Sequence, residues 1–146
     1  MSHIIPQFFI TSVNLKQIDV NNDQLKCALF TGDYNEGILK DCKSFNEISA
    51  FEVTSAGNYP IGGIEISAHS VSSNDIDNKV DFAMSDIIFI ASAGNIENVR
   101  YAGIYNVPTK IPMAFIDFTT NRNIIENTNL TIQFPISLIF RAYQKT

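Results

Sequence analysis

The sequence has no tryptophan, only two histidines and two cysteines, and no run of basic residues, and each shortage removes a class of function. General acid–base catalysis needs a positioned titratable group, and His3 and His69 are the only imidazoles on offer. Neither a disulfide framework nor a zinc site follows from Cys27 and Cys42 at their spacing. We therefore expect two reduced, packed thiols, no metal and no cofactor. Ten Lys and Arg against 15 Asp and Glu leave a net charge of −5. Phosphate binding needs clustered cations, so no nucleic-acid partner is expected. The apolar stretch Ile4–Ile10 is too short to span a bilayer and lacks the basic start and cleavage site of a secretory signal. Neither membrane association nor export is expected, and folding is assigned to a reducing cytoplasm.

What is abundant points to strands. Eleven Phe and five Tyr accompany many Ile and Val, side chains that suit a pleated, half-buried surface. Short apolar runs separated by turn residues have the spacing of a sandwich or barrel. Lys26–Phe30 reads as a strand closed by Thr31-Gly32-Asp33, and Ser44-Phe45-Asn46-Glu47 has capping-box form, predicting one short helix over Ser44–Ala50. Asn58-Tyr59-Pro60-Ile61-Gly62-Gly63 is the strongest turn signal, and Gly57, Tyr59, Gly62 and Gly63 are its structural residues.

Ile64, Ile66 and Ala68 alternate as a strand should, and polar Ser70–Asn78 reads as a loop or hairpin tip. Val80, Phe82 and Met84 alternate again, and Ile87–Ile90 is continuously apolar, as in a strand covered on both faces. Val99–Tyr105 follows, with Gly103 marking a bulge, then Pro112–Phe118, a polar loop over Thr119–Asn129, and alternating Leu130, Ile132 and Phe134. Pro135 breaks the pattern before a last strand, Ile136–Tyr143. The expected fold is all-β: a single β-sandwich of roughly seven to eight antiparallel strands with one short helix and an N-terminal arm. There is no repeat or linker, so residues 1–22 form the arm and first strand and residues 23–146 the sandwich domain.

The amino-terminal segment is unusually apolar for a chain end. Its residues Ile4, Ile5, Phe8, Phe9 and Ile10 either complete the core or form an arm that grips a partner. No catalytic residue stands out. His69 reads as a surface histidine, Asp75-Ile76-Asp77 lacks the glycine and closing glutamate of an EF-hand loop, and Asn129-Leu130-Thr131 is a chance glycosylation triplet. Tyr59, Tyr101 and Tyr105 could stack on a sugar, but strand alternation explains the latter two as sheet packing.

Several segments, taken in order, resemble a widespread set of small structural proteins of tailed bacteriophages. They are Ile18-Asp19 with Asp23–Asn35, Asn46-Glu47-Ile48, Gly57–Ile64, Phe82–Ile87, Val99–Tyr105 and Ile116-Asp117-Phe118. The chain departs from the pattern at Phe89, where tryptophan is frequent, and at Pro135-Ile136-Ser137, where a glycine is usual. The resemblance implies a non-enzymatic virion component, a capsid-associated or decoration subunit ahead of a tail or neck component. A carbohydrate- or receptor-binding module is the alternative. The implied partners are the major capsid protein or neighbouring subunits, including further copies of the chain, and the implied location is the virion.

Overall fold

The computed structural model describes residues 2–32, 36–74 and 79–133. Its strands are β1 (Ser2–Ile4), β2 (Leu25–Phe30), β3 (Ile64–Glu65), β4 (His69–Asn74), β5 (Lys79–Met84), β6 (Ile87–Ile90), β7 (Ile96–Asn106), β8 (Pro112–Ile124) and β9 (Asn129–Ile132). The helices are α1 (Gln7–Asn14) and α2 (Glu36–Asp41). Among the described residues, all strand pairs are antiparallel. A five-stranded sheet in the order β1-β8-β7-β2-β3 is accompanied by two-stranded ribbons β4-β5 and β6-β9. The fold is all-β and sandwich-like.

The central sheet is covered on both faces, and strand alternation sets which side chain goes where. Leu25, Cys27 and Leu29 of β2, with Ala102 and Ile104 of β7, point to one side and meet Ile87 and Phe89 of β6, Ile132 of β9 and Phe9 of α1. Ala28, Phe30, Tyr101, Tyr105 and Phe115 point to the other and are capped by Leu39 of α2, Cys42, Phe45 and Ile48. On this second side the rings interlock. Phe30 meets Phe45 and Phe115 edge-on at centroid distances of 5.8 and 6.2 Å, and Phe45 stacks on Tyr105 at 4.3 Å. Such pairs add to the burial of ring area itself.

Gly103 sits in the ladder, paired with Ala28 and Phe115, rather than in a bulge. A Cβ there would lie 2.8 Å from ring carbons of both Phe30 and Phe115. The glycine is a space requirement of the aromatic layer. The register shifts fall elsewhere in the β7–β8 ladder, around Val99–Tyr101 and Ile104–Tyr105.

The remaining differences from expectation have local causes. Over Ser44–Ala50 the chain forms two 3-10 turns, Phe45–Glu47 and Ser49–Phe51, instead of one helix. The cap is real, since Ser44 accepts from the Asn46 amide. Propagation stops because Phe51 and Glu52 are drawn alongside β2, where the Thr31 amide donates to the Phe51 carbonyl and Phe30 bridges to Glu52. Helix α1 arises without a side-chain cap and ends with Lys16 at φ 58°, its Gln17 amide donating to the Ser12 carbonyl.

The expected loop over Thr119–Asn129 is mostly strand, because β8 runs on to Ile124, with Thr119 at φ 68° taking up a local distortion. Asp117 secures that distortion by accepting from the Thr119 amide and, at 2.7 Å, from Arg100 Nε across the ladder. The hydrogen bond from Arg100 holds the Asp117 carboxyl below its ordinary pKa. The expected strand over Ile64–Ala68 is two residues long, and residues 69–74 are strand rather than loop. The expected final strand Ile136–Tyr143 lies outside the described residues.

Gly103→Ala is expected to cost about 1–3 kcal/mol through overpacking of Phe30 and Phe115. A urea titration of the purified variant checks this, and an unchanged midpoint would mean that the aromatic layer yields.

Candidate functional site

Two sets of residues singled out in the sequence become geometric units, and they do different things. The first is the glycine turn. Strand β3 pairs with Lys26 and Cys27 only, so β2 would leave the Leu29 amide and carbonyl unpaired beyond it. Unmet backbone groups in a core are costly, and both are satisfied. The Val53 amide donates to the Leu29 carbonyl at 3.0 Å, and the Leu29 amide donates to the Tyr59 phenol at 2.9 Å.

The same phenol donates to Glu52 Oε1 at 2.7 Å, and that oxygen also accepts from the Gly62 amide at 2.7 Å. Tyr105 closes the network by donating to the Gly62 carbonyl at 2.6 Å. The turn must lie flat on β2 for this to work. At Gly63, φ is +86° and a Cβ would stand 2.0 Å from the Cys27 carbonyl oxygen, a site that only glycine fits. Gly57 backs in the same way onto Asn95 and Ile96 at the start of β7. Burial holds the Tyr59 phenol well above its ordinary pKa, with Glu52 adding to the effect and the Leu29 amide opposing it. The arrangement is a closed lock, in which every polar group named is paired.

Gly57, Tyr59, Gly62 and Gly63 are thus brought to one corner of the sheet. Sequence reasoning missed Glu52 and assigned Tyr105 only to packing. The available signal for Glu52 was a lone acid between Phe51 and Val53, both apolar.

The second set is Ile4–Ile10. The segment is built into the folded body and is not a free arm. Ile4 pairs with Phe115 at the sheet edge and is 3% exposed, and Phe9 is equally buried in the core. Ile5 and Phe8 are half-buried against the core. Ile10 alone of the five faces outward, at 42% exposed, and Val13 lies one helical step beyond it. Beside α1, the short helix α2 leaves Ile38 exposed, and Leu15 follows α1 at 63%. Between the two helices runs a groove of about 350 Å³ lined by Gln7, Phe8, Thr11, Lys40, Asp41 and Lys43. Lys43 stands 6.0 Å from the centre of the Phe8 ring, within reach of its electron-rich face.

The other residues considered fall elsewhere. Cys27 and Cys42 are both buried and unpaired, in the clusters on opposite faces of the central sheet. Burial raises both thiol pKa values, that of Cys42 to about 11. Tyr59, Tyr101 and Tyr105 are each under 5% exposed, so they offer no face for stacking on a sugar. His69 is half-buried at the base of the β4–β5 ribbon, where its Nδ1 has no partner. Asp75-Ile76-Asp77 lies outside the described residues. Among the described residues, no helix is long and apolar enough to cross a membrane. Comparison of the chain with models of known families, with curated proteins and with solved structures gives no match.

Tyr59→Phe is expected to cost about 1–3 kcal/mol, because it strips the Leu29 amide and Glu52 of one partner each. Tyr105→Phe, which removes a single hydrogen bond, should cost about 1 kcal/mol. Equal urea midpoints for both variants and the parent would show that the lock contributes nothing.

The two thiols make stability pH-dependent on the alkaline side. Their folded pKa values lie above the unfolded one, so the stabilisation is complete below about pH 8.5 and declines as the unfolded chain begins to ionise above it. Thermal melts between pH 8 and 10 should show a fall that Cys27→Ala flattens, and parallel profiles for both proteins would contradict this.

Proposed function

We propose that this protein is a non-enzymatic structural subunit of a tailed-phage particle, a capsid-associated or decoration subunit gripped by its neighbours through the α1–α2 surface. The observation that carries the reading is where apolar side chains are left in water. Of the eight large hydrophobic residues exposed among the described ones, Ile10, Val13, Leu15 and Ile38 all belong to α1, its end and α2. Exposed apolar residues scattered singly need no explanation, whereas a concentration of them marks an interaction site. Lys40 and Lys43, which line the groove between the two helices, are polar residues of the kind that the rims of interfaces carry.

The resemblance to phage structural proteins supports the same reading in a specific way. Several of its separate sequence segments are partners in space. Tyr101 and Ala102 of the arginine–aromatic–alanine strand face Asp117 and Ile116, and Ile64 beside the double glycine faces Cys27. The pattern therefore follows the strands of the central sheet, the part of the fold that a protein held in many copies would keep constant.

Mass spectrometry of purified particles should find the chain in hundreds of copies relative to the major capsid protein. A dozen or fewer would move it to a vertex, neck or tail, and absence would sink the reading. The paired variant Ile10→Glu with Val13→Glu should lower incorporation at least about tenfold while changing stability by less than about 0.5 kcal/mol, as surface substitutions do. Undiminished incorporation would remove this surface from the interface.

A further inference from the structure

We draw no further inference here: the strongest candidate, the outward face of the β6–β9 ribbon, where Ile88 and Ile90 are exposed although the sequence reads Ile87–Ile90 as covered on both faces, carries nothing because no feature of the structure shows what covers it.

Discussion

The structure depends on a central sheet whose middle strands are covered on both faces. Strands β2 and β7 supply apolar side chains to both of their faces in alternation, one set meeting the β6–β9 ribbon and α1, the other meeting α2 and the 3-10 turns. Everything else in the fold follows from covering this sheet twice. The aromatic interlock of Phe30, Phe45, Tyr105 and Phe115 needs the space that Gly103 leaves. The Gly62-Gly63 turn must press flat against β2, and Tyr59 and Glu52 fill the hydrogen-bonding needs created where the edge strand β3 stops.

This arrangement explains what was legible in the sequence. Period-two alternation and turn chemistry are local properties, so β2, β5, β6 and the core of β7 and β8 could be placed from residue order alone. The double glycine announced its turn because positive φ and close approach exclude other residues. The amphipathic logic of α1 was hidden. It carries β-branched Ile10, Thr11 and Val13, begins without a capping side chain and ends without a glycine, so none of the usual helix signals is present. The over-long loop assigned to Thr119–Asn129 has a similar cause. Threonine and asparagine read as loop, but pairing with β7 and the bond from the Thr119 amide to Asp117 hold the strand to Ile124.

The candidate site was legible only as composition. An apolar amino terminus was evident, but its division into inward-facing Ile4 and Phe9 and outward-facing Ile10 is a result of helix geometry and of β1 joining the sheet. The lock shows the opposite limit. Tyr59 could be seen as a turn residue, yet its partners lie at Leu29 and Glu52, and no local pattern connects them. The two units also differ in what they do with their side chains. The lock spends its polar groups on one another, whereas the α1–α2 surface leaves apolar side chains in water.

The register of β2 also carries a kinetic consequence. Phe30 pairs with Tyr101, 71 residues further along the chain, and Leu25 with Asn106, whereas β7 and β8 form a hairpin of near neighbours. Non-local pairings close large loops and form slowly. On a ribosome adding 5–20 residues per second, β2 emerges roughly 4–14 s before β7, the partner along its whole length, exists. During that interval Leu25, Cys27, Leu29 and Phe30 have at most the two-residue strand β3 to pair with. The β7–β8 hairpin is then the template on which the earlier strand finally settles, and productive folding is set by how long an orphaned apolar strand stays out of trouble.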